Sequence, residues 1–90
     1  MDFGLTDQFK KDFAKLKSEN QKFSSKVMEL IIAIESASNH LDGIGQPELL
    51  KGNQAGCYSR RINQKHRLIY LYSSKEKVEL ISCYGHYSDK

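Results

Sequence analysis

The hydrophobic pattern of this chain changes period along its length. From about residue 7 to residue 38, apolar side chains recur every three to four positions; from Tyr58 onward they alternate every second position. The first pattern belongs to amphipathic helices, the second to strands with one buried face. Ninety residues make a single domain, 1–90, so helices and strands must share one core. The expected architecture is α+β, with two N-terminal helices packed on one face of an antiparallel sheet.

The elements follow from local pattern. Met1 to Thr6 alternates apolar and small residues, as a short first strand would. Thr6 or Asp7 can cap a helix running to about Leu16, and Phe9, Phe13 and Leu16 form its apolar stripe. A second helix from about Asn20 to Ser38 would bury Phe23, Val27, Leu30, Ile31 and Ile34. Neither helix is stable alone, so both need a sheet to cover. Between Asn39 and Gly56 the periodicity stops, and Gly43, Gly45, Pro47, Gly52 and Gly56 mark loops and turns. A loop this long in so small a domain is often functional. Strands are then expected over Tyr58–Ile62, Arg67–Tyr72 and Val78–Cys83, joined by short loops at 63–66 and 73–77.

Composition narrows the function classes. The net charge of +3 is mild, but its placement is informative: Lys51 to Arg67 holds five cations and no acid. Such a run is commonly a solvated face, and it also suits an anionic partner. Cys57 and Cys83 are too few for a disulfide framework and have no Cys-x-x-Cys spacing, so two reduced, partly buried thiols are expected. No apolar run reaches the roughly 20 residues that span a membrane. Asp2, Asp7, Lys10 and Lys11 interrupt any signal-peptide core. A cytoplasmic location without membrane contact is the expectation.

Alternation also places side chains. If Ile62, Leu68 and Tyr70 face the helices, Arg61 and Arg67 project together from the opposite, open face. Cleavage of RNA without a metal needs a base for the 2′-hydroxyl, an acid for the 5′-oxygen and fixed cations for the phosphorane charge. Glu48 and His86 suit the first two tasks. Lys51, Arg60, Arg61 and Arg67 suit the third, and Tyr87 lies beside His86. Each residue also has a plain reading, since a lone Glu in a loop, an Arg pair on a strand and a His near a chain end are ordinarily solvated or structural. His40 reads as a loop surface residue, His66 as a structural hairpin residue, and Tyr70 and Tyr72 as core or sheet surface. No metal-ligand spacing, phosphate-binding Gly loop or Ser/His/Asp set is legible, so no cofactor is expected. The residues by themselves indicate a basic α+β domain able to bind RNA.

Four ordered segments carry a resemblance. They are Gly45-Gln46-Pro47-Glu48-Leu49-Leu50-Lys51-Gly52, Gly56-Cys57-Tyr58-Ser59-Arg60-Arg61-Ile62, His66-Arg67-Leu68-Ile69-Tyr70 and Cys83-Tyr84-Gly85-His86-Tyr87. Together they resemble the YoeB/Txe family of RelE-like toxins from bacterial type II toxin–antitoxin systems. The resemblance implies an endoribonuclease of the RelE-like fold that cleaves mRNA in the ribosomal A site. It implies Glu48 as general base, His86 as general acid and Arg67 as stabiliser of the transition state. It matches Lys51 and Arg61 to positions that grip phosphate and Tyr87 to a tyrosine that helps hold the substrate, and Arg60, next to Arg61, is also expected to bind substrate. It also implies a cognate antitoxin, for which an acidic segment is expected over the basic groove, and a homodimer, which such toxins often form. The family commonly ends Cys-Arg-Tyr-His-Tyr, where this chain has Cys83-Tyr84-Gly85-His86-Tyr87 and continues through Ser88-Asp89-Lys90. Tyr58 stands where the family often has Trp.

Rival readings are a non-catalytic RNA- or ribosome-binding module of the same fold, a RelE-like enzyme of another branch, and a pure interaction protein. Convergence of Glu48 and His86 with Arg67 separates the first from a nuclease. The acid-free run from Lys51 to Arg67 disfavours the last.

Overall fold

The computed structural model describes residues 1–85. Strand β1 (Asp2–Leu5) leads into helix α1 (Asp7–Glu19) and helix α2 (Gln21–Ser36). A loop then reaches the two-residue strand β2 (Glu48–Leu49) and a single 3-10 turn (Gly52–Gln54). Strands β3 (Tyr58–Arg61), β4 (Arg67–Ser74) and β5 (Lys77–Ser82) follow as two hairpins. Among the described residues no helix is long and apolar enough to cross a membrane.

Both helices begin where the sequence supplies a cap. Thr6 Oγ1 accepts the Phe9 amide at 3.0 Å and also lies 2.8 Å from the Ile81 carbonyl, to which it can donate. One hydroxyl therefore starts α1 and ties it to β5. Asn20 ends α1 by donating its amide to Leu16 and starts α2 by accepting from Lys22, so a single residue makes the corner between the helices.

The sheet runs β1-β5-β4-β3-β2. β2 through β5 pair antiparallel, as expected for the later strands, and β1 joins the sheet parallel to β5, which makes it mixed. The reason lies in connectivity. Hairpin turns fix the direction of β3, β4 and β5. No turn joins β1 to β5, and its register is set by packing, with Phe3 opposite Val78. Phe9, Leu16, Val27, Leu30 and Ile34 from the helices close over Ile62, Leu68, Tyr70, Val78 and Leu80. The helices thus cover one face, and the alternate residues Ser59, Arg61, Arg67 and Ile69 belong to the other. Phe13, Phe23 and Ile31 lie partly buried at the margin of this core.

Candidate active site

The open face is assembled by strand register. Glu48 on β2 lies opposite Ser59 on β3, and Ser59 lies opposite Ile69 on β4. Two residues along, Arg61 lies opposite Arg67. Residues directly opposite share a face, so Glu48, Ser59, Arg61 and Arg67 form one cluster. Glu48 sits diagonally from Arg61, at the roughly 7–8 Å spacing of such neighbours.

The two arginines face each other across neighbouring strands. The Arg61 amide donates outward to Gly45 O at 2.6 Å, and the Arg67 amide donates outward to Gly85 O at 3.2 Å. They therefore form a non-hydrogen-bonded pair, in which the Cα atoms approach to about 4.5 Å and the side chains are nearest. Like charges directly opposite are destabilising, and among the described residues neither arginine has an ion-pair partner. Among the described residues, Arg67 Nε and Ser59 Oγ are buried with no hydrogen-bond partner. Buried polar atoms are otherwise almost always bonded. Two facing arginines and two unbonded polar atoms on one face make an arrangement that an anion would suit.

Arg60 points the other way and corrects one expectation. It shares the parity of Ile62, is wholly buried, and has spent its donors inside. Nε bonds Tyr70 Oη at 2.8 Å, Nη1 the Ile44 carbonyl at 2.8 Å, and Nη2 the Asp42 carbonyl at 2.7 Å. Its guanidinium therefore lies on the helix side of the sheet, away from Arg61 and Arg67. There it fastens the 42–45 loop to the sheet, which delivers β2 and Glu48 to the edge of β3. Burial pushes the Tyr70 hydroxyl above its ordinary range, and the Arg60 hydrogen bond acts against that shift.

The remaining expected residues are distributed as follows. Lys51 is exposed and immediately precedes the 3-10 turn just past β2. His86 and Tyr87 lie outside the described residues. His40 is an exposed loop residue stacked on Tyr72 at 3.8 Å between ring centres. His66 is buried in the β3–β4 connection, Tyr70 is core, and Tyr72 is half-buried. Cys57 and Cys83 are free thiols. Burial, with the Asp12 carboxylate adding to it, pushes the Cys83 thiol up to about 12. Ser59 was not singled out in the sequence, although it shares Arg61's parity. Asp12, mid-helix and buried, accepts the Cys83 amide at 2.9 Å and so anchors the end of β5. Nothing in the sequence marks that role. No group of three or more His, Cys, Asp or Glu that could hold a metal occurs among the described residues.

A model of the YoeB-like toxins of bacterial type II toxin–antitoxin systems matches residues 5–87. The chain belongs to that family. The toxin YoeB of Synechocystis sp. is 38% identical over 87 residues, 97% of this chain and 98% of the relative. The toxin in the YoeB-YefM complex from Staphylococcus aureus superposes with a TM-score of 0.83 at 37% identity, covering 97% of this chain and 98% of that one. The YoeB dimer from the same organism gives a TM-score of 0.84 at 36% identity, with the same coverage. The YoeB-like fold thus extends over the helical half as well as the four motif segments.

Proposed function

We propose that this YoeB-family toxin is an endoribonuclease that cleaves mRNA in the ribosomal A site. The 2′-oxygen of one nucleotide attacks the adjacent phosphorus and the 5′-oxygen leaves, so a 2′,3′-cyclic phosphate and a 5′-hydroxyl result. Glu48 takes the 2′-hydroxyl proton and His86 protonates the leaving oxygen. Arg67 stabilises the charge that grows on the phosphorane. Lys51, Arg61 and Tyr87 hold the substrate, and Arg60 supports the loop behind them. The observation that carries this reading is the facing Arg61–Arg67 pair, with its unbonded Arg67 Nε, diagonal to Glu48. A phosphodiester relieves the repulsion and supplies the missing acceptor in one step.

The solved relative bound to YefM supports a cognate antitoxin partner, and the solved dimer supports self-association. An acidic antitoxin segment laid over the arginine pair would compete with phosphate for the same donors. The test is growth: co-expression with the adjacent gene product should relieve arrest, and arrest that persists counts against the partnership. The nuclease reading is tested by mapping mRNA ends in a translation mix. Wild-type protein should create new ends only when ribosomes are present, and Glu48→Gln should not. A protein that blocks translation and leaves mRNA intact is a binding module and not a nuclease.

A further inference from the structure

The last two described residues are held by a histidine that the proposed mechanism does not use. The His66 ring is 1% exposed. It meets Phe23 of α2 edge-on at 5.6 Å and the ring of Tyr84 at 4.4 Å between centres. His66 Nδ1 accepts the Gly85 amide at 2.9 Å. A ring nitrogen that accepts carries no proton, so this hydrogen bond requires the neutral ring with its proton on Nε2. The Gly85 carbonyl in turn accepts the Arg67 amide. Both backbone polar groups of Gly85 are therefore bound to consecutive residues of the β3–β4 hairpin. Gly85 has φ of +81°, a conformation that glycine adopts without strain.

Tyr84 strengthens the arrangement from outside. Lys15 of α1 lies over its ring at 4.2 Å, Lys65 approaches at 5.9 Å, and its hydroxyl donates to Glu19. Tyr84 thus bridges α1 to the hairpin and covers the His66 ring. Phe23 from α2 and Tyr84 from the segment after β5 are among the groups that face His66. Around Tyr84 stand Lys15 and Glu19 from α1 and Lys65 from the hairpin.

We propose that His66 is a positioning residue gated by its own protonation. As a neutral acceptor it fixes Gly85, the residue before His86 in the sequence, beside Arg67. A proton on Nδ1 turns the acceptor into a donor facing another donor, and the clamp opens. The consequence for catalysis rests on the reading of Arg67 and His86 as stabiliser and acid; the clamp itself does not.

The experiment therefore has two readouts on three proteins: wild type, His66→Asn, which keeps an acceptor at the δ position without a basic ring, and His66→Leu, which keeps bulk without an acceptor. The first readout is hydrogen-exchange protection of the Gly85 amide by NMR. Wild type should protect it at pH 8 and lose that protection on acidification while the Leu80 amide stays protected. His66→Asn should protect it at both pH values and His66→Leu at neither. The second readout is the cleavage rate. His66→Leu should lower kcat about tenfold to a hundredfold, the scale of a misplaced catalytic group, with KM little changed. His66→Asn should cleave near the wild-type rate at pH 8 and lack part of the wild-type decline on acidification. Gly85 protection that ignores the residue at 66 and the pH overturns the proposal, as does a folded His66→Leu that cleaves at the wild-type rate. Should His66→Leu fail to fold, the Asn comparison decides alone. The predicted protection pattern in a wild-type protein that cleaves no RNA upholds the clamp and overturns the nuclease reading.

Discussion

Adjacent arginines on one strand have opposite fates here. Arg61 is exposed beside Arg67, and Arg60 is buried and saturated with internal bonds. Arg67→Ala should slow cleavage by roughly 10²-fold, the scale of losing one preorganised charge stabiliser. Its melting temperature should hold or rise, because a like-charge contact disappears with the side chain. Arg60→Ala should instead destabilise the fold by about 3 kcal/mol, since two loop carbonyls and a buried tyrosine lose a charged donor. Urea unfolding of the two variants separates these outcomes, and equal stability losses would contradict them. The two thiols also differ. Burial raises both, but Cys83 reaches about 12, so iodoacetamide at pH 8 should modify Cys57 well before Cys83. A raised acid group favours the fold below its unfolded value of 9.0 and loses that contribution as pH climbs toward 12. Cys83→Ala should accordingly show a smaller drop in stability from pH 8 to pH 10.5 than wild type, measured by denaturant midpoint.

At the scale of elements, the helices and the three long strands were legible because each spans enough residues to show its period. The ends of α1 and α2 fall within a few residues of the expected ones, where caps mark them. β2 was not legible, since two residues cannot display alternation. Its place is set by the preceding loop, where Gly45 has φ of +88° and a Cβ there would meet Leu30 at 2.7 Å and Arg60 at 3.0 Å. Gly45→Ala should therefore destabilise the protein and, by moving β2, lower activity more than its stability loss explains. Comparing kcat at equal folded fraction measures that. Alternation put Arg61 and Arg67 on the open face, and the same rule applied one residue back would have turned Arg60 inward. Register supplied what the sequence lacked: that Glu48 and Ser59 fall in one row and that the arginine pair is of the close kind.

For the whole molecule, on the proposed reading, the helices serve as backing, the sheet face they leave uncovered carries the chemistry, and Lys51, Arg61 and Arg67 contact a single strand of RNA. Three phosphate contacts imply that log K falls against log salt with a slope of roughly −2. Arg61→Ala should flatten the slope by about 0.7, and salt-independent binding would reject the electrostatic account. The central claim is that the face built from Glu48, Ser59, Arg61 and Arg67 cleaves RNA and does not merely bind it. Primer extension on an mRNA undergoing translation tests this most directly, with wild type and Arg67→Ala at matched folded concentrations. The account predicts discrete cuts with wild type, and cuts appearing roughly 10²-fold more slowly with Arg67→Ala while ribosome binding largely survives. Full-length mRNA under wild-type protein, or equal cutting by the variant, would contradict it.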